Sequence, residues 1–287
     1  MKYWQVVAMT DMDQIPALAL KAEEIGLEGI TLGDHLITFQ EQYEAYPESE
    51  DAVIRWYPET HWPDPWVMFG AIAQITKRIK FLTTIFVLPM RDPFSIAKAV
   101  LTAARISNDR VVLGTGIGWQ ESEFRLVERE FRDRGARTDE MLEVMRLLMS
   151  GEVVEFHGRY FDFPKLQMAP GTVKPVPFWI GGHSDAALAR AARHDGWVGA
   201  MHDIAGLREI MKKLKREREA IDRGMDDFNV ILAIHDKGKT ADLYRAAEDL
   251  GVNHVYKPAW LDEKGRASVL TLDEKLAEMD RFAERFL

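Results

Sequence analysis

The sequence predicts an α/β protein, a (β/α)8 TIM barrel with insertions after strands 2 and 4, and three observations carry that prediction. Short apolar runs alternate with amphipathic stretches from one end to the other, the order that builds parallel strands joined by crossover helices. The 287 residues suit one domain over 1–287, since barrels of about 250 residues form single cores and added loops lengthen them. The two stretches that break the rhythm, 36–65 and 151–175, fall between apolar runs and read as insertions.

Eight strands are expected, at 2–9, 28–33, 80–88, 110–115, 176–181, 196–200, 228–235 and 253–258. After the first, Ile15, Leu18, Ala22 and Ile25 mark one face of a helix that Gly26 ends. After the fourth, Thr138 ahead of Asp139 and Glu140 is expected to cap a helix. Met141, Val144, Met145 and Leu148 of that helix point inward, and Ser150 and Gly151 stop it. VVEFHGRYFDF, within 151–175, reads as a small hairpin, and loops of this kind in barrel enzymes sit at the carboxyl ends of strands.

Composition excludes several classes. A net charge of −9 opposes binding to nucleic acid or to an anionic membrane, both of which need clustered cations. The absence of cysteine removes disulfides, thiolate catalysis and iron–sulfur clusters. The histidines at 35, 61, 157, 183, 194, 202, 235 and 254 show no HxH, HxxxH or HExxH spacing, so no metal site is expected. The start, MKYWQVVAMTDMDQ, lacks the apolar centre of a signal peptide, and no apolar run approaches the ~20 residues of a membrane span, so a cytoplasmic location is expected.

Chemistry concentrates where strands end. RVVLGTGIGWQESEF, at 110–124, runs a buried strand into glycines at 114, 116 and 118, then Trp119, Gln120 and an acidic helix start. It is not a dinucleotide fingerprint, because Trp119 replaces the third glycine and Arg134 stands where the distal acid belongs. Asp34 and His35 close the second strand, where barrels place acid–base groups; the histidine can pass a proton and the aspartate can orient it. Thr83, Thr84 and Ile85 lie in the third strand, where the hydroxyls either satisfy backbone or share in a loop that presents amides to a ring. Gly181, Gly182, His183 and Ser184 lead into a helix whose free amides suit a phosphate. Phe39, Tyr43, Tyr46, Trp56, Tyr57, Trp62 and Trp66 make the first insertion a lid over an apolar substrate or a subunit interface. Phe39, Trp56, Tyr57 and Trp119 are the expected pocket residues.

These motifs, with RGARTDEMLEVMRLLMSGE at 134–152 and PFWIGGHSDAALARAARHDGW at 177–197, resemble the luciferase-like monooxygenase superfamily, most closely its deazaflavin (coenzyme F-420) dependent oxidoreductases. The resemblance implies a barrel, often dimeric, holding its flavin or deazaflavin at the carboxyl ends of the strands. It implies that Asp34 and His35 face the reactive ring, that a non-proline cis peptide falls at Thr84–Ile85, and that Gln120 lies near the ring's polar edge. Gly116 would lie by the ring, and residues 181–184 would hold the cofactor phosphate. Ile117, Ala200 and Asp203 stand where sugar-phosphate dehydrogenases of this kind carry glutamate, threonine and lysine, which argues against a phosphorylated sugar. The expected activity is hydride transfer between coenzyme F-420 and a small organic substrate, in a homodimer. The alternatives are a monooxygenase using reduced FMN and a non-catalytic flavin-binding barrel.

Overall fold

A computed structural model describes residues 1–47, 52–234, 241–257, 259–261 and 270–287. The barrel strands are β1 (Lys2–Val6), β2 (Gly29–Leu32), β3 (Lys80–Thr83) with its short continuation β4 (Phe86–Val87), and β5 (Val111–Gly116). Between the fourth and fifth barrel strands lies an antiparallel pair, β6 (Val153–His157) and β7 (Asp162–Gln167). The barrel resumes with β8 (Phe178–Gly181), β9 (Gly196–His202), β10 (Asn229–Ile234) and β11 (His254–Lys257).

All pairings around the barrel are parallel, and β1 pairs with both β2 and β11, while β3 pairs with β5, so the sheet closes on itself. The fold is therefore a closed eight-stranded (β/α)8 barrel, as the alternation of apolar runs predicts. Residues 235 and 258, the last of two expected strands, lie outside the described residues.

Two cores hold the barrel. Inside it, Trp4, Leu82, Val112, Trp179, Val198 and Ile231 fill the ring, because alternate side chains of each strand point inward. His254 joins this interior: the Trp4 indole, which can only donate, gives its N–H to Nδ1 at 2.9 Å, so Nε2 carries the proton and donates to Asn229 Oδ1 at 3.1 Å. Burial pushes the His254 pKa down to about 3. Outside the ring, the strands pack on α1 (Ile15–Glu24), α2 (Pro65–Ile75) and α3 (Pro93–Ser107). Then come the six-residue α4 (Glu121–Leu126), α5 (Arg134–Met149), α6 (Asp185–Ala192), α7 (Ile204–Glu219), α8 (Ala241–Asp249) and α9 (Leu272–Phe286). In α1, Ile15, Leu18 and Ala22 are buried, and Gly26 turns the chain away at φ +84°.

Two expectations change. Thr138 is not a cap: α5 starts at Arg134, and the buried Thr138 hydroxyl donates back to the Arg134 carbonyl at 2.7 Å. The acids that suggested a helix start are used elsewhere, Asp139 on Arg190 and Arg193, Glu140 on the hairpin. The hairpin is present, but it leaves the carboxyl end of α5 and feeds the amino end of β8, so its root lies at the end of the barrel opposite the strand carboxyl termini. Its tip folds back along α5, where the Glu140 carboxylate accepts from the amides of Arg159, Tyr160 and Phe161. Phe163 packs on Phe94 of α3. It braces helices rather than covering a site.

Candidate active site

At the carboxyl end of β2 the chain turns through Gly33, Asp34 and His35, and the two polar residues point to different partners. Asp34 is buried and accepts a bidentate pair of hydrogen bonds from Arg91, both 2.7 Å, and a third from the Val87 amide at 2.9 Å. Burial pushes its carboxyl pKa up, against the pull of the Arg91 guanidinium, the Val87 N–H and His35. All three bonds need an acceptor, so the geometry is that of a carboxylate in an ion pair tying β2 to the segment after β4. Asp34 therefore does not orient His35, contrary to the sequence expectation.

Glu123 does. It stands in the first turn of α4, buried, and its Oε2 lies 3.2 Å from His35 Nδ1, while Oε1 accepts from the amides of Leu36 at 2.9 Å and Ile37 at 3.4 Å. A carboxylate facing Nδ1 makes that nitrogen the N–H donor and leaves Nε2 as the basic atom, with no hydrogen-bond partner among the described residues. The sequence reading missed Glu123 because an acid in a helix's first turn reads as a dipole partner, and a contact 88 residues away leaves no trace in local spacing.

The aromatic insertion lies over this histidine. The rings of His35, Trp56 and Trp62 form a closed triangle with centroid separations of 4.6, 4.9 and 5.2 Å, and Tyr46 and Trp119 extend the wall. Trp62 lies against Gly33 so closely that an added Cβ there would fall 2.7 Å from the indole ring. Glu44 fastens the insertion to α4 through the Ser122 amide and hydroxyl at 2.9 and 3.0 Å. Of the expected pocket residues, Trp56 and Trp119 border His35. Phe39 instead pairs with Tyr43, and Tyr57 belongs to a turn in which its amide donates to the Thr60 hydroxyl. Trp66 is not part of this wall; it opens α2 and packs on Phe86.

The third strand carries the cis peptide bond at Thr84–Ile85. Both threonine hydroxyls are satisfied, Thr83 on the Gly114 carbonyl at 2.7 Å and Thr84 on the Thr31 hydroxyl at 3.0 Å. The Ile85 side chain occupies space that two glycines leave free: a Cβ at Gly116 would fall 2.4 Å from Ile85 Cδ1, and one at Gly181 2.7 Å from its Cγ2. Gln120 is buried beside α4, and its side-chain amide makes no hydrogen bond among the described residues.

Across the barrel, Gly182 takes φ +118° and gives its carbonyl to the Trp197 indole at 2.8 Å. His183 Nδ1 and His202 Nε2 share a hydrogen bond of 3.2 Å, and burial lowers the His183 pKa. Ser184 caps α6 by accepting from the Ala187 amide at 3.2 Å. Asp185, in the first turn, is paired with Lys213 of α7 at 2.8 Å. No group of three or more metal-ligating side chains occurs among the described residues, and none of their helices is long and apolar enough to cross a membrane.

Comparison with known proteins agrees with the barrel fold. The model of the family described as luciferase-like monooxygenase matches residues 4–235. An uncharacterized protein of Mycobacterium tuberculosis is 32% identical over 287 residues, covering 100% of this chain and 99% of its own. An F420-dependent glucose-6-phosphate dehydrogenase of Amycolatopsis mediterranei is 26% identical, covering 94% of this chain and 78% of its own. Among solved structures, monooxygenase RslO1 of Streptomyces bottropensis superposes with a TM-score of 0.76 at 18% identity, covering 100% of this chain and 98% of that one.

Proposed function

The chain belongs to the luciferase-like monooxygenase family, and from that premise we propose that it transfers a hydride between deazaflavin coenzyme F-420 and a small organic substrate. The observation that carries the reading is His35, whose Nδ1 is held by a buried carboxylate while Nε2 stays uncommitted beside an aromatic wall. In this reading His35 is the catalytic residue: Nε2 takes the proton from a substrate hydroxyl or returns it to a carbonyl oxygen. Glu123 and Asp34 are positioning residues, the first through the imidazole, the second by pinning the turn through Arg91.

The residues at the strand ends fit a phosphorylated ring cofactor. Gln120 offers an uncommitted side-chain amide to a polar ring edge, while Thr83, Thr84, Ile85 and Gly116 form the packed floor below. Gly181, Gly182, His183 and Ser184 bring the chain to the amino end of α6, where backbone amides and the helix dipole suit a phosphate. The cofactor, when bound, supplies hydride chemistry that needs no oxygen. Trp56 and Trp119, with Trp62, make the substrate side. A dehydrogenase relative named for F420 supports deazaflavin; the description of the matched family as a monooxygenase supports the second reading, reduced FMN with oxygen.

The same reading makes the chain a single barrel domain over 1–287 that works as a cytoplasmic homodimer. Support for the dimer comes from α2, which carries no charged residue and exposes Val67 and Ile75. The test of function is a calorimetric titration with F-420 and with FMN, each oxidised and reduced. Selective F-420 binding, with substrate-dependent turnover lost in His35→Ala while binding persists, is the expected result. Selective binding of reduced FMN moves the assignment to monooxygenation, and binding of neither overturns both readings.

A further inference from the structure

The aromatic insertion is fastened to the barrel at three places, and the chemistry of the fastenings differs. At its start Glu123 accepts from the amides of Leu36 and Ile37, and in its middle Glu44 accepts from the amide and hydroxyl of Ser122. At its far end the acceptor is an imidazole: His61 Nδ1 takes the amide hydrogen of Met12, in the turn before α1, at 3.0 Å. A backbone N–H only donates, so this bond exists only while Nδ1 keeps its lone pair, with the ring neutral and its hydrogen on Nε2. Carboxylates keep their acceptor oxygens into the acid range, whereas imidazole is the side chain whose charge ordinarily changes between about pH 5 and 8. Of the three fastenings, only the far one has a chemical state that changes near neutral pH.

A protonated His61 has a second partner at hand. Asp11, next to Met12 in the chain, places Oδ1 3.9 Å from the same Nδ1, so the proton that removes the acceptor creates an ion pair beside it. The two side chains are 51% and 64% exposed, so water reaches the ring and can deliver that proton. The other charges of this corner have their own partners. Asp64, on the same segment as His61, caps α2 through the Trp66 and Val67 amides. From α9, Lys275 donates to Gln14 Oε1 at 2.8 Å and is drawn towards Asp11 and Asp13. Glu59 stands two residues before His61 in the chain. What His61 governs is set by the residue after it: Trp62 lies on Gly33, packs edge-on against Trp56 and His35, and has a buried indole N–H.

We propose that His61 is a pH-operated latch on the aromatic insertion. Neutral, it holds the Met12 amide and keeps Trp62 down on Gly33. Protonated, its Nδ1 becomes a donor facing another donor, exchanges the Met12 amide for the Asp11 carboxylate, and lets the far end of the insertion lift from the barrel mouth. The insertion is therefore closed in weak alkali and opens as the pH falls through the imidazole range. The switch needs no cofactor and works the same way whichever cofactor the barrel takes, so its failure leaves the functional assignment untouched.

The test labels methionine amides and tryptophan indoles with 15N and follows the full chain from about pH 8 to about pH 5.5. The Met12 amide is assigned with Met12→Leu and the Trp62 indole with Trp62→Phe. As the pH falls, the Met12 amide proton should move upfield. Its protection from solvent exchange, corrected for the intrinsic pH dependence of exchange, should drop about 5-fold, as expected for one net hydrogen bond. The Trp62 indole should lose protection over the same range. In His61→Asn, whose side-chain oxygen accepts at the same reach and does not titrate, the Met12 amide should stay in place, and any Trp62 change that persists belongs to His35. The amides of Met141 and Met145, buried in α5, report that the fold is intact throughout. A Met12 amide that ignores pH, or that moves equally in wild type and His61→Asn, overturns the latch, and the wild-type titration decides this without the variant. Release of Met12 with the same Trp62 indole behaviour in both proteins overturns its hold on the insertion.

Discussion

Asp34 and Glu123 are both buried carboxylates within one residue or one bond of His35, yet they answer to different tasks, and substitution separates them. Asp34→Asn leaves Arg91 without its charged partner and should cost about 3 kcal/mol of stability, read as a lower denaturation midpoint. Glu123→Gln removes the carboxylate from Nδ1 and should lower kcat about 100-fold, with a displaced limb in the pH–rate profile and a smaller loss of stability. A Glu123→Gln enzyme with unchanged kcat and pH profile would refute the positioning role. His35 was legible in the sequence because it follows a strand; its partner was not, because only the closed barrel brings α4 over the end of β2. The adjacent Asp34 was the natural choice by proximity, and the covalent neighbour lost to the spatial one.

Elements whose determinants are local read correctly. Ser184 caps α6 over a span of three residues, and Gly26 ends α1 by its own backbone geometry, so both were visible as residue patterns. Ser184→Ala should cost about 1 kcal/mol in urea unfolding, and, on the proposed reading, should also weaken cofactor binding; an unchanged unfolding midpoint would contradict the cap. Thr138 misled because the acids following it mimic a first helical turn, whereas they are committed to Arg190, Arg193 and the hairpin amides. The hairpin misled in a different way. Its strands alternate plainly, but which end of a barrel a loop serves depends on whether it follows a strand or a helix.

For the molecule as a whole, eight apolar runs specified a closed barrel, and folding holds two histidines neutral, His254 inside the ring and His194 outside it against Phe178. The pKa of His254 lies at about 3 and that of His194 at about 4, both below the ordinary 6.5, chiefly through burial. Unfolding frees these imidazoles to take protons below pH 6.5, so the unfolded state gains as pH falls. Stability is complete above that value and declines through the window from 6.5 towards 3, by roughly 1.4 kcal/mol per pH unit for each histidine. The carboxyls of Glu23 and Asp139 are held low by their partners and add their own loss only at more acid pH. Denaturant midpoints at pH 7, 6 and 5 should therefore fall steadily; a flat profile would mean that these side chains are protonated without unfolding.

Ile85 sits in the space of two side chains that glycine omits, one on each of two neighbouring strands. Three positions far apart in the chain thus share one fixed volume, and none is free to change alone. Among diverging relatives, positions 85, 116 and 181 should drift as a unit, with an alanine at either glycine accompanied by a smaller residue at 85. Laboratory evolution from Gly116→Ala should recover by the same route, through Ile85→Val or Ile85→Ala, before it finds any remedy elsewhere.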